Sequence, residues 1–284
     1  MATPEWPIPL GQELSCRRGR NFSQQSEIRK PNIDKIRIRL IGIPRYIVRA
    51  MSPPSSQPLA LSANARISQE AFGAENQPML MIDGALNDPA AVIEIAARQS
   101  YRQIGPYYPG LRAPVPEPAA WPLLQPAAAL IASVFNLKRA PIFEECYLSV
   151  ITAQPDELTT IQKLPHFDGT ESDRLAVLLY LDRAEQGGTA FYRQRSTGFE
   201  SITEARLPDY EAALAQGMRE HGRPTAGYLR GDTPLFEQIH TVAGVHNRAI
   251  IYRGNTLHCG LLGKQFKPKA DPCKGRLTLN MFFA

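Results

Sequence analysis

Hydrophobic positions along this chain change period several times. Lys35-Ile36-Arg37-Ile38-Arg39-Leu40 alternates strictly, with Ile36, Ile38 and Leu40 on one face of a candidate edge strand. The text around it is polar and rich in Pro, and Ser52-Pro53-Pro54-Ser55-Ser56 has the composition of a linker. We therefore expect residues 1–60 to form a disordered or loosely attached tail and residues 61–284 to form one domain, with regular structure starting near residue 76. Met79-Leu80-Met81-Ile82 reads as a strand. Asn87-Asp88-Pro89 has the chemistry of a helix start, and the helix from Ala90 to Gln99 should bury Val92, Ile93 and Ala96. Residues 106–114 carry so much Pro that they read as a loop, and Ala128 to Phe135 reads as a second helix, apolar on most sides.

Beyond Pro141 the pattern becomes that of strands. Phe143 to Ile151 is the first, and Leu175-Ala176-Val177-Leu178-Leu179-Tyr180-Leu181 is apolar throughout, as expected of a strand buried on both faces. A Gly187-Gly188-Thr189 turn leads to Ala190-Phe191-Tyr192. The interval 193–246 is polar, with one helical stretch from Tyr210 to Met218, and reads as an insert or lid. Ala249 to Tyr252 is strand-like again. In the final strand Arg276, Thr278 and Asn280 share one face, while Leu277, Leu279, Met281 and Phe283 share the other. The polar face needs a cavity to line and the apolar face needs a cover. A mainly β domain, a double-sheet jelly roll with an internal site and N-terminal helices packed outside one sheet, satisfies both.

Composition narrows the class. The net charge of +5 comes from the first 60 residues, which hold ten Lys and Arg against four Asp and Glu, so the body itself is near neutral. That leaves no basic face for nucleic acid outside the tail. Apolar runs fall short of the ~20 residues that span a membrane, and the start lacks the pattern of a secretory signal. Four scattered Cys form neither a zinc knuckle nor a disulfide framework, and a reduced, cytoplasmic protein is the simplest expectation.

The candidate chemistry lies in Leu164-Pro165-His166-Phe167-Asp168-Gly169-Thr170. In an extended segment, His166 and Asp168 leave the same face. With five His and ten Asp, an accidental His-x-Asp arises in about one such chain in five, so the pair draws its meaning from its place in the order of strands and ligands. His258, between Gly254 and Gly260, can supply a third ligand and complete a two-His-one-carboxylate face on a metal. His221, His240 and His246 have no partner spacing of this kind. Tyr147 and Ser149 alternate along the first core strand, where either could reach a bound molecule, and Tyr107, Tyr108 and Arg112 could reach a substrate from their loop.

This order, His-x-Asp, buried strand, second His and a last strand with a lone Arg, resembles the iron- and 2-oxoglutarate-dependent oxygenases, in particular their prolyl-hydroxylase-like branch. The resemblance covers about residues 145–284, and the chain as a whole is similar to an uncharacterised bacterial family built on the pattern. It implies a double-stranded β-helix in which His166, Asp168 and His258 bind Fe(II). It also implies that Arg276 and Thr278 hold the distal carboxylate of 2-oxoglutarate; from its place on the first core strand, Tyr147 is a further candidate co-substrate contact. The wide intervals from Asp168 to His258 and from His258 to Arg276 imply insertions. The reaction implied is decarboxylation of 2-oxoglutarate to succinate, coupled to hydroxylation or other oxidation of a small-molecule or peptidyl substrate. Two alternatives stay open on sequence alone: a cupin-like metal enzyme that does not use 2-oxoglutarate, and a non-catalytic binding module on the same fold.

Overall fold

Strand β6 (Leu175–Tyr180) shows why the chain folds as two sheets with helices outside. All six of its residues are buried. Leu175, Val177 and Leu179 pack with the helices, and Ala176, Leu178 and Tyr180 pack into the space between the sheets. A strand at the centre of a sheet covered on both faces has no position left for a polar residue.

The computed structural model describes residues 45–46, 57–184, 187–225 and 227–284. The expected alternation at 35–40 and the linker at 52–56 lie outside them. The large sheet also contains β1 (Arg45–Tyr46), β2 (Arg66–Phe72), β3 (Gln77–Asp83), β4 (Gly110–Pro114), β5 (Phe143–Ile151), β9 (Arg248–Arg253) and β11 (Leu277–Phe283). Its order is β1-β2-β3-β9-β6-β11-β5-β4. The small sheet is β10-β7-β8, formed by β7 (Gly188–Gln194), β8 (Phe236–Ala243) and β10 (His258–Leu261). Every strand pair is antiparallel. From β5 onward the chain passes repeatedly between the sheets. His166 bridges to His258 at the open side of β10, so the His-x-Asp segment extends the small sheet. This is the expected double-stranded β-helix, with both sheets left open rather than closed into a barrel.

The helices α1 (Pro89–Ala97), α2 (Glu117–Ala120) and α3 (Ala128–Val134) belong to the outer layer. The Asp88 carboxylate caps α1 by accepting from the Ala91 amide at 3.0 Å, and Pro89 fills its first turn, where no amide is needed. Val92, Ile93 and Ala96 of α1, with Ile131 and Phe135, share one core with Leu277, Leu279, Met281 and Phe283. Truncating one of these fully buried leucines to Ala costs about 2–5 kcal/mol. Among the described residues, no helix is long and apolar enough to cross a membrane.

Three expectations need correction. Regular pairing starts before residue 76: β2 pairs along its length with β3, and Leu59 and Leu61 are already buried. In β2 the buried apolar residues Ile67 and Phe72 are five apart and face opposite layers, so no period of two exists to be seen. Residues 110–114 are not a loop but the edge strand β4, where Pro114 is tolerated because an edge leaves one side unpaired. The interval 193–246 contains α4 (Leu207–His221) and also β8, so the insert leaves and re-enters one hairpin of the small sheet.

A buried carboxylate ties that hairpin to the large sheet. Glu200, fully buried, accepts the amides of Ala74 and Glu75 at 2.8 and 2.9 Å and pairs with Arg193. The turn it caps begins at Gly73, whose φ of 72° suits glycine, and a Cβ there would meet a Glu200 carboxylate oxygen at 2.1 Å.

Candidate metal and anion site

The space between the two sheets opens into a cavity of about 610 Å³. Its floor carries the three residues expected to act together. Ligand atoms of His166, Asp168 and His258 all lie within 4.8 Å of one another. Asp168 places one carboxylate oxygen 3.8 Å from His166 Nε2 and the other 3.3 Å from His258 Nε2.

Backbone pairing brings them there. His166 and His258 exchange two amide-to-carbonyl hydrogen bonds of 2.8 Å, and the Asp168 amide donates to the Gly254 carbonyl at 2.7 Å. The rings of the two histidines stand 4.3 Å apart. His258 Nδ1 lies 2.8 Å from the Thr256 carbonyl, which accepts its proton and leaves the Nε2 lone pair facing Asp168, the tautomer a metal ligand needs. The His258 side chain is 6% exposed, whereas that of His166 is 44% exposed and forms the open side of the cluster.

The electrostatics suit a cation. The cavity walls around its ring, with His258 and Arg112 nearby, push His166 below the ordinary imidazole value although one edge stays open to solvent. Burial pushes the Asp168 carboxyl up, against the opposing pull of His258, Arg112 and Arg174. Two imidazoles and an enclosed carboxylate, on one face of a hollow, are a donor set fit for a divalent transition metal with positions left open.

A second cluster lies further along the cavity. Arg276 is 4% exposed, donates to the Gly188 carbonyl at 2.9 Å, and faces the Tyr180 ring with its guanidinium carbon 5.9 Å from the centroid. Among the described residues, no carboxylate pairs with it. Beside it is Tyr108, raised by burial and pulled back by Arg276 and Arg112, with the Thr278 and Ser149 hydroxyls also favouring its ionised form. The Tyr108 and Ser149 hydroxyls nevertheless make no hydrogen bond of normal geometry, and both are sealed from solvent. The sheet register explains the grouping: Arg112 pairs with Ser149, and Ser149 with Thr278, so the three form one row across β4, β5 and β11 on the inner face.

The expected residues thus fare differently. The structure brings His166, Asp168 and His258 together and buries Arg276 and Thr278. The Thr278 hydroxyl donates to Asn280 Oδ1 at 2.9 Å. Tyr147 is engaged elsewhere: its hydroxyl donates to Glu145 at 2.7 Å, and Glu145 is the one on the cavity wall. A phenol that does line the cavity with Arg276 is Tyr108, delivered by a Pro-rich segment in which no periodicity marks an inward position. His240 has a partner after all, lying 3.1 Å from Glu70 and stacked on Phe72. The insert contributes Leu207, Tyr210, Glu211 and Leu214 of α4 to the wall.

Comparison with known proteins gives a family match and a set of distant likenesses. The model of a family described as "Family of unknown function (DUF6445)" matches residues 63–283. No curated protein matches. Similar solved structures include the non-heme alpha ketoglutarate dependent epimerase SnoN from nogalamycin biosynthesis, at 13% identity and a TM-score of 0.42, covering 74% of this chain and 78% of that one. HygX from Streptomyces hygroscopicus, with nickel and 2-oxoglutarate bound, has 13% identity and a TM-score of 0.44, covering 74% and 84%. The non-heme alpha ketoglutarate dependent carbocyclase SnoK from nogalamycin biosynthesis has 14% identity and a TM-score of 0.40, covering 74% and 80%. At such values these likenesses add nothing to the strand order already described.

Proposed function

The chain belongs to this DUF6445 family, and from that footing we propose that it is an Fe(II)- and 2-oxoglutarate-dependent oxygenase. In this reading His166, Asp168 and His258 hold the metal, and Arg276, Thr278 and Tyr108 receive the distal carboxylate of 2-oxoglutarate. The observation that carries it is the pairing of two incomplete sites in one cavity. One is a three-ligand face with open positions. The other is a buried guanidinium that no carboxylate answers among the described residues, in the same cavity region as two sealed hydroxyls without partners there. A buried cation and orphaned donors are costly unless an anion completes them. A dicarboxylate that also carries a 2-oxo group answers both ends at once.

Bound there, the metal and co-substrate supply oxidation of a substrate C–H bond by O2, with 2-oxoglutarate leaving as succinate and CO2. This chain's residues have plainer tasks. The Thr256 carbonyl fixes the His258 tautomer, the planar fork of Arg276 orients the co-substrate by two parallel hydrogen bonds, and the apolar walls limit water. The substrate belongs to the proposal only as a small molecule or peptidyl group, and nucleic acid is not among the expected partners. The prolyl-hydroxylase-like branch is proposed from the order of the motifs. A metal enzyme that ignores 2-oxoglutarate would leave the Arg276 and Tyr108 cluster without a purpose.

The test supplies metal-free protein with Fe(II), 2-oxoglutarate and O2 and measures succinate and bound metal. Succinate should require both additions, and His258→Ala should lose metal and succinate at equal folded yield. Unchanged metal content in that variant would retire the ligand assignment. Metal binding in the wild type without any response to 2-oxoglutarate would favour the other metal enzyme.

A further inference from the structure

Three arginines reach the cavity wall, and they are not equivalent. Arg174 is answered by Glu144 at 2.5 Å and by Glu145 at 3.5 Å. Arg276 is assigned above to the co-substrate. Arg112 remains: no carboxylate pairs with it among the described residues, and its Nε is sealed from solvent without a hydrogen-bond partner. Its guanidinium is held in place all the same, 4.4 Å from the centroid of the Tyr108 ring and 5.3 Å from that of Tyr147. Stacked aromatic rings fix the plane of a guanidinium while leaving its edge free to donate. Arg112 lines the same cavity as His166 and Asp168, so whatever it holds shares the space with the metal face.

The cavity mouth supplies an independent observation. Three large hydrophobic residues are exposed among the described residues, and two of them, Tyr107 at 66% and Ile161 at 43%, belong to this wall. They are joined as one rim, because Gln162 donates to the Pro106 carbonyl at 3.1 Å. Leu207 and Leu214 of α4 add further apolar surface. Exposed apolar surface beside a cavity marks a place where something is meant to be covered.

Resting on the oxygenase reading, we propose that the substrate oxidised here is an amphipathic carboxylate, its carboxylate held by Arg112 and its apolar body lying over Tyr107 and Ile161. A single free guanidinium matches one carboxylate. A phosphate dianion would call for a second cation, and Arg174 is already neutralised by its two glutamates.

The test uses the full chain under argon with Fe(II) and saturating 2-oxoglutarate, and octanoate and octanamide as probes of equal length and different charge. Melting shifts and calorimetric titration give the affinities. Octanoate should bind at least about tenfold more tightly than octanamide, a margin within the worth of one charge-assisted pair. Arg112→Met should erase that preference while its bound Fe(II), held by His166, Asp168 and His258, stays that of the wild type. Arg112→Gln repeats the measurement should the Met variant fold poorly. Equal binding of the two probes, or binding of neither, overturns the proposal. Loss of the 2-oxoglutarate response in the Arg112 variants also overturns it, since Arg112 would then serve the co-substrate. A wild type that ignores 2-oxoglutarate removes the oxygenase reading itself, and the inference falls with it.

Discussion

Replacing Arg276 with Met should separate what the residue does for the fold from what it does for a ligand. Met keeps much of the volume and removes the guanidinium. In the free protein the loss is one hydrogen bond to the Gly188 carbonyl, worth about 1.5–3 kcal/mol for a charged donor. Against it stands relief from burying an unpaired cation, which is of order several kcal/mol. The two oppose each other, so the free variant should melt near the wild type or above it. The liganded state should behave otherwise. Truncating one partner of a buried charge pair costs about 2–5 kcal/mol, and near the middle of that range the co-substrate affinity falls at least about hundredfold. At a hundredfold excess of 2-oxoglutarate over Kd, the wild type gains about 2.7 kcal/mol, while a variant bound a hundredfold more weakly gains about 0.4 kcal/mol. At about 2–4 °C per kcal/mol, a shift of about 5–11 °C shrinks to about 1–2 °C. The assay is thermal unfolding under argon with Fe(II), with and without 2-oxoglutarate, and with succinate as the control that lacks the chelating 2-oxo group. A variant that responds like the wild type refutes Arg276 as the anchor. A free variant that melts far below the wild type shows the residue to be structural.

Tyr108→Phe removes a sealed hydroxyl that has no partner, so it should leave the free protein as stable as before and weaken 2-oxoglutarate about 5- to 10-fold; a clear loss of stability would contradict this. Glu200→Ala takes the acceptor from the Ala74 and Glu75 amides and leaves Arg193 with Glu237 alone, so it should cost about 1.5–3 kcal/mol in urea unfolding; a cost under about 0.5 kcal/mol would show the network to be dispensable. Glu70 is held below its ordinary value of 4.5, first of all by its hydrogen bond to His240. A depressed carboxyl stabilises above its unfolded value and loses that contribution as pH falls through the folded one, so Glu70→Gln should be less stable by about 0.5–1 kcal/mol at pH 7 and equal to wild type in strong acid. A deficit that persists at low pH would contradict the linkage.

How far the sequence reveals each part of the site depends on how local the signal is. His166 and Asp168 are two residues apart on an extended segment, and Arg276 and Thr278 likewise, so the period of a strand is enough to put each pair on one face. The all-apolar β6 and the divided faces of β11 state their own burial, and from them the helix-covered sheet can be inferred. Tyr108 and Arg112 are visible in the sequence only as loop residues, because what turns Tyr108 toward Arg276 is a Pro-rich entry into an edge strand, and edge pairing leaves no hydrophobic period. Tyr147 misleads for a related reason. It shares the inner face with Ser149, yet Glu145, two residues away, captures its hydroxyl, and alternation cannot report such a neighbour. β8 is hidden because its side chains are largely half-buried rather than apolar and sealed.

The two-way backbone exchange between His166 and His258 has a kinetic consequence. These residues are far apart along the chain, with β6, the insert and β9 between them, so their pairing closes one of the long loops of the domain. Contacts of large sequence separation form slowly, because the entropy of loop closure must be met before they give anything back. During refolding the histidines should therefore meet only after the intervening strands have found their places. Competence to take up a metal ion would then appear late and together with the native sheet, and the rate of metal capture by refolding protein becomes a clock for completion of the fold.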